Sequence, residues 1–546
     1  MNYRNCFFPL SLWCLLGAFF VMGLAAPAAA SAAVQPGMPV TGDRILFGNI
    51  GEPSTLIPAL ASDSASHEVA DKIFVALLRY DKDVNIEPWA AASYEVLEDG
   101  RLLRFTLRQD IYWEDGVQLT MDDVEFTYNF MIDPKTPTAY GADFLEVKSF
   151  TKTGAFSCEI RYARPFARSL VTWMTAIMPK HKLEGENLTT TPFARQPIGA
   201  GPYRLKRWET GSQLVLSASD TYFEGRPYLD EVVYRMIPDL ATMFLELKAE
   251  RLDSMSLTPQ QYLRQTSSPW WEEHWRKYRY LSFSYTYLAY NPAHAAFKDV
   301  RVRRALTHAI DRQGIVDGVL LGQGRVTAGP FIPGTWVHND AIAPYPYDPE
   351  KARQMLAEAG WTDSDKDGWL DKDGKRFAFT ILTNQGNDQR IKSAIIIQSQ
   401  LKALGIDVRI RTVEWAAFIK EFVNKGRFDA LILAWTVPQD PDTFSVWHSS
   451  SAKPGGLNFT QFKNDEVDRL LEQARLTTDQ SARKRLYERF QEILHEEQPY
   501  TFLYVPYALP IVQARFHGIE PAPAGIMHNF ERWWVPKALQ RYQVAP

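Results

Sequence analysis

The stretch richest in groups able to do chemistry is FDALILAWTVPQDPDTF, residues 428 to 444. An apolar run, Ala430 to Ala434, ends on Trp435 and Thr436, and two carboxylates, Asp440 and Asp442, then flank Pro441. Two acids beside an aromatic can serve as a catalytic acid and base, as a metal cup, or as one wall of a binding cleft. The plain alternative is a turn set by Pro441, in which both acids accept loop N–H groups. Acids two residues apart on a turn have no fixed carboxyl separation, so a hydrolase using Asp440 and Asp442 stays open. Trp447 and His448, in SVWHSSS, extend the same candidate wall.

Other motifs argue against most enzyme classes. There is no G-x-S-x-G elbow, no H-E-x-x-H pair and no Walker loop. Ser-x-x-Lys occurs at Ser399, Ser450 and Ser481, a recurrence that marks chance. Gly322, Gly324 and Gly329 lack dinucleotide spacing, and His495 beside Glu496 and Glu497 reads as a solvated helix face. In TDSDKDGWLDKDGK (362–375), Asp363, Asp365, Asp367, Gly368 and Asp371 match calcium-loop positions, but Gly374 stands where a bidentate glutamate belongs. A polar turn is the better reading, and no metal or other cofactor is expected.

The elements that must carry these residues alternate helix with strand, an α/β pattern. Ile391 to Leu404 has helical apolar spacing and stops at Gly405; IDVRIRTV alternates as a strand; EWAAFIKEFVNK reads as a helix; FDALILAW reads as a buried strand. This β-α-β unit puts Trp435 at the C-terminal end of a strand, where open α/β sheets collect ligands. Asp348 with Pro349, and Asp479, suit helix N-termini. YRYLSFSYTYLAYN (278–291) reads as a long alternating strand with Leu281, Phe283, Tyr285 and Tyr287 on one face.

The 546 residues need two or three domains, and a net charge of −4 offers no reason to expect nucleic acid as a partner. Residues 1–33 read as a cleaved signal peptide: Arg4, an apolar run from Cys6 to Ala26, then alanine-rich sites near Ala28 to Ala32. Leu12 and Trp13 before Cys14 do not suit a lipoprotein site, and the mature chain would keep only Cys158, hence no internal disulfide. A periplasm-like destination follows, and the hydrolase alternative becomes a secreted one.

Several blocks in order resemble the family 5 extracellular solute-binding proteins, the peptide-binding components of ABC importers. They are LLRYDKDVNIEPWAAASYEVLEDGRLLRFTLRQDIYWEDGVQLTMDDVEFTYNFM, PIGAGPYRLKRWETGSQLVL, YLAYNPAHAAFKDVRVRRALTHAIDR, KARQMLAEAGW, GLNFTQFKNDEVDRLLEQARLT and FLYVPYAL. The resemblance implies a two-lobed periplasmic-binding-protein fold of cluster C type, with a hinge and an inserted subdomain. Lobe I would take 43–80, 200–290 and 511–546, the insertion 81–199, and lobe II 291–510. It also implies a monomer that closes around a peptide, of oligopeptide length, and delivers it to a membrane permease. Trp435, Thr436, Asp440, Asp442 and Trp447 would form the ligand wall. The family's aspartate for a peptide α-ammonium falls at about Pro438, so either Asp440 takes that role or no side chain grips the terminus. A receptor for a glycan fragment, metal chelate or tetrapyrrole is the alternative.

Overall fold

The computed structural model describes residues 37–453 and 455–543, so the expected signal peptide lies outside the described residues. Two mixed sheets organise the chain. In the first, the order runs Trp275–Lys277, Pro510–Gln513, Ser254–Ser256, Arg44–Asn49, Glu231–Met236, Gln213–Ala218, Tyr203–Glu209. Arg515 holds its segments together, reaching both Asp43 and, at 2.8 Å, Asp253, all three buried. Between its strands the chain inserts a four-stranded antiparallel sheet and the helix Met121–Ile132. A capping box of Thr120 and Asp123 starts that helix. The insertion has no separate interior: Phe105, Trp113 and Ile160 share one core with Ile45, Val232 and Trp533.

The second sheet orders Tyr280–Leu281, Tyr500–Ala508, Ser284–Tyr290, Ala430–Thr436, Ala378–Asn384 and Asp407–Val413. Asp407–Val413 and Ala430–Thr436 do run parallel, but they are not neighbours, because Ala378–Asn384 lies between and pairs with both. Burial explains the order. Phe379 to Asn384 is buried almost throughout, whereas Asp407–Val413 exposes Arg409, Arg411 and Thr412, as an edge strand can. The segment after Glu414 is a short helix, Trp415–Ala417, followed by a wider π-type turn, Phe418–Val423. Asp348 and Asp479 cap their helices as their spacing suggests, accepting from Lys351 N at 2.9 Å and Ala482 N at 2.7 Å.

The chain changes sheets twice, side by side. Trp275–Lys277 belongs to the first sheet and Tyr280–Leu281 to the second; Tyr500–Ala508 belongs to the second and Pro510–Gln513 to the first. The crossings are tied by Tyr278 N donating to Pro510 O at 2.9 Å. This corrects the expected lobe boundary at residue 290, since Ser284–Tyr290 pairs entirely within the second sheet, with Ala430–Thr436 and Tyr500–Ala508. The expected two-faced alternation also fails, because Tyr285 through Tyr290 are all buried, as a strand covered on both faces must be.

The lobes approach closely at Gly386, whose φ of +80° follows the strand Ala378–Asn384. A Cβ there would lie 1.5 Å from the carbonyl oxygen of Pro238, which belongs to the first lobe. Gly386→Ala therefore obstructs this closed geometry. X-ray scattering of the ligand-saturated variant is expected to keep a larger radius of gyration than wild type, with affinity reduced roughly tenfold or more. Gly426→Ala, with φ of +62° and open space around it, carries only the backbone strain. Identical behaviour of the two variants would remove the steric argument.

Candidate functional site

A cavity of about 920 Å³ opens where the first lobe, its insertion and the second lobe meet. The first lobe contributes the helix Ser64–Ile73, started by Asp63, which accepts from Ser66 N at 2.9 Å. Ala65, Val69, Ala70 and Ile73 bury one side of this helix, which turns His67, Glu68 and Asp71 towards the cavity. The insertion adds Tyr140, which meets His67 Nε2 at 3.1 Å, and Arg168. From the second lobe come Trp415 of the short helix, Ile419 and Val423 of the π-type segment, Arg390, and the strand end at residues 433–436.

Trp435 is held as a flat wall. Its Nε1 donates to Tyr500 Oη at 3.3 Å, and its ring stacks on Phe459 with centroids 5.6 Å apart. Tyr287 and Tyr500 stack behind it at 4.2 Å, so the indole face is backed by a rigid aromatic layer. Trp415 reaches the other lobe, where its Nε1 lies 3.5 Å from Asp63 Oδ1 and its side chain fills the space a Cβ on Gly51 would need.

Five sequence candidates separate here. Trp435, Thr436 and Asp442 line the cavity. Asp440 lines a neighbouring cleft instead. Trp447 reaches neither: its indole is fully buried against Tyr500 and Phe462, which makes it a core residue and corrects its place in the ligand wall. His448, its neighbour, is buried against Phe444.

The two aspartates are committed to arginines. Asp440 accepts from Arg483 at 2.8 and 2.9 Å and from Arg168 at 3.1 Å. Asp442 accepts from Arg475 at 2.6 Å and lies 3.1 Å from Arg168 Nε. Asp143 of the insertion completes the cluster, 2.6 Å from Arg475 and 2.9 Å from Arg168. Burial alone would raise the Asp440 carboxyl; hydrogen bonds from Arg483 and the charge of Arg168 overcome it and bring it to about 2. Burial likewise opposes ionisation of Asp442, and Arg475 and Arg168 hold its carboxyl below the usual range. Neither acid carries a proton near neutrality. The loop reading holds as well, since Asp442 N donates to Asp440 at 3.0 Å. With its oxygens occupied, Asp440 has no free face for a ligand ammonium.

Other charges in the cavity lack such partners. Burial raises the Glu68 and Asp71 carboxyls against the nearby charge of Lys72, and neither forms a close ion pair among the described residues. Asp71 is exposed, but the space it faces is the cavity between the lobes. Arg390, whose guanidinium burial disfavours, has Asn384 Oδ1 at 2.8 Å as acceptor and no carboxylate partner among the described residues. These residues escaped the sequence reading, although two signals existed. His67, Glu68 and Asp71 fall on one face of a helix that carries Ala65, Val69, Ala70 and Ile73 on the other. Arg390 stands in the first turn of its helix, just past a strand's C-terminal end, where the helix dipole disfavours a cation.

The loop 363–374 gathers Asp363, Asp365 and Asp371 within 4.8 Å. Those carboxylates serve the turn itself, with Asp371 accepting from Ser364 N at 2.9 Å and Asp363 from Gly368 N at 3.1 Å.

Residues 85–456 match the family described as "Bacterial extracellular solute-binding proteins, family 5 Middle". The chain belongs to this family. This solute-binding protein is similar to the oligopeptide-binding protein AppA of Bacillus subtilis, 35% identical over 93% of this chain and 94% of that one. The structure of AppA in complex with a nonapeptide superposes with a TM-score of 0.87, covering 91% of this chain and all (100%) of the other. Heme-binding protein A of Haemophilus influenzae is 28% identical over 81% of this chain and 83% of its own. NikZ from Campylobacter jejuni in complex with Ni(L-His) gives a TM-score of 0.81 at 28% identity, covering 90% and 99%. No helix among the described residues is long and apolar enough to cross a membrane.

Removing one member of the buried cluster should expose its worth. Asp442→Asn leaves Arg475 and Arg168 short of an anion, and the expected loss is about 3–5 kcal/mol in urea unfolding. The pairing of Asp440, against an unfolded carboxyl near 3.9, lends stability that is complete above about pH 4 and lost as the pH falls towards 2. A loss below about 1 kcal/mol would place Asp442 among ordinary surface pairs.

Proposed function

We propose that this protein is an extracytoplasmic receptor that encloses an oligopeptide between its lobes and hands it to the membrane permease of an ABC importer. One observation carries the reading: a large aromatic-walled cavity in which unpaired charges of opposite sign stand on opposite lobes. Glu68 and Asp71 belong to the first lobe and Arg390 to the second. A zwitterionic chain supplies both counter-charges at once, and binds best when the lobes are together. The cavity volume of about 920 Å³ stands near the top of the usual range for ligand pockets, about 300–1,000 Å³. The likeness to AppA, solved with a nonapeptide, supports a peptide of several residues.

In this reading Trp435 packs against the ligand, Thr436 offers a hydroxyl beside it, and Asp442 acts behind the wall by fixing Arg475 and Arg168. Catalysis has no support, since Asp440 and Asp442 are both ionised and both held by arginines, whereas acid–base work at neutral pH needs one of a pair to keep its proton. The mature protein acts as a monomer in the periplasm after its N-terminal segment is removed on export.

Native mass spectrometry of protein purified without refolding is expected to show a monomer carrying a ladder of peptide masses. Calorimetry then tests the charges. Arg390→Met should weaken peptides with a free carboxylate by roughly tenfold to a thousandfold, while leaving the corresponding peptide amides nearly unchanged. Affinity should also fall on acidification, because Glu68 and Asp71, already raised by burial, take up protons at a higher pH than ordinary carboxyls and lose the charge an ammonium requires. A protein that binds no peptide at any length, or whose peptide affinity does not fall on acidification, would falsify this account.

A further inference from the structure

The charged side chains that bridge the cleft divide by lobe into two sets, and each set is neutral. The insertion supplies Asp143 and Arg168, paired with each other at 2.9 Å. The second lobe supplies Asp440 with Arg483, at 2.8 and 2.9 Å, and Asp442 with Arg475, at 2.6 Å. Every charge therefore has a partner on its own side of the cleft. Separating the lobes strands no ion, and joining them takes paired charges rather than lone ones out of water.

Across the cleft the two sets interlock. Arg168 lies 3.1 Å from both Asp440 and Asp442, and Arg475 lies 2.6 Å from Asp143. The backbone adds to this, since Ala167 N donates to Arg475 O at 2.6 Å. The Arg475 guanidinium is covered from both lobes, by the Phe444 ring of its own at 3.8 Å and by the Phe166 ring of the insertion at 5.9 Å. Residues 166–168 thus meet the second lobe as one continuous segment. Phe166 is anchored in the core that the insertion shares with the first lobe, so the segment moves with that lobe. All of these contacts are made by the protein alone.

We infer that the insertion is a reversible clasp, whose segment 166–168 and Asp143 lock onto the second lobe and close the molecule before a ligand has bound. The clasp also sets how long a closed complex lasts, because opening the lobes requires these contacts to part. Its strength is separable from folding, because each set stays neutral when they do.

The test compares wild type with the double variant Asp143→Asn/Arg168→Met, which removes the insertion's neutral set and leaves the pairs of the second lobe intact. Both proteins are first stripped of co-purified ligand by unfolding and refolding. X-ray scattering of the ligand-free wild type is expected to match the closed structure, and the double variant to give a larger radius of gyration. In urea unfolding the double variant should lower the midpoint far less than Asp442→Asn, which unbalances the second-lobe set. Loaded with peptide, the double variant should release it roughly tenfold faster or more. Equal radii for the two ligand-free proteins overturn the clasp. So does a urea midpoint lowered as far as by Asp442→Asn, since the contacts would then belong to the fold. A protein that closes without ligand but binds no peptide keeps the clasp and loses only the peptide reading, because the scattering comparison needs no ligand.

Discussion

The structure turns on a buried exchange of charge across the cleft. Asp143 and Arg168 come from the insertion, while Asp440, Asp442, Arg475 and Arg483 come from the second lobe. Ions this deeply removed from water are tolerated only when each meets an opposite charge at hydrogen-bond distance. Three acids and three arginines satisfy that condition together, and they do so only while the insertion is seated on the second lobe. The cluster thus makes lobe closure and charge neutralisation one requirement. It also explains why the loop with the most chemical promise is chemically quiet: its acids are occupied in holding the lobes.

Closure of this kind needs a hinge that moves without breaking either sheet. The paired crossings at residues 278–279 and at Leu509 supply one. Each is a short break between strands of different sheets, and Tyr278 N to Pro510 O holds the two side by side. Elsewhere the lobes meet through contacts that opening can release: Trp415 against Gly51 and Asp63, Gly386 against Pro238, and the ion cluster itself. Buried ion pairs contribute little net stability once desolvation is counted, and much geometric definition. They suit an element that must open and close. A ligand that supplies counter-charges to Arg390, Glu68 and Asp71 then shifts the balance further towards the closed form.

Much of the framework was legible because it follows from local rules. Asp348 and Asp479 announced their helices, Gly405 ended one, and the apolar run before Trp435 announced a strand whose end faces the cleft. What could not be read depends on partners far along the chain. Arg168 and Asp440 are 272 positions apart, and no spacing rule connects them. Trp447 looked available because it follows an acidic loop, but a four-residue helix turns it into the aromatic core between Tyr500 and Phe490. The misplaced lobe boundary has a similar origin. The run from 278 to 291 reads as one strand, yet its two ends belong to different lobes.

The same residue type plays opposite parts in this cleft, and the difference lies in what surrounds it. Arg168, Arg475 and Arg483 each meet a carboxylate within hydrogen-bond distance and are thereby neutralised within the fold. Arg390 is half-buried and, among the described residues, meets only the Asn384 amide oxygen and nearby tyrosines. A cation drawn partly out of water without an anion is a cost that folding alone gives no reason to keep. Glu68, half-buried, poses the same problem with the opposite sign, and Asp71 beside it faces the same cavity. In a binding protein such groups mark where the ligand completes the structure, whereas paired ones mark what the structure completes for itself. By that criterion the two acids of WTVPQDPD belong to the fold, because arginines occupy both of them.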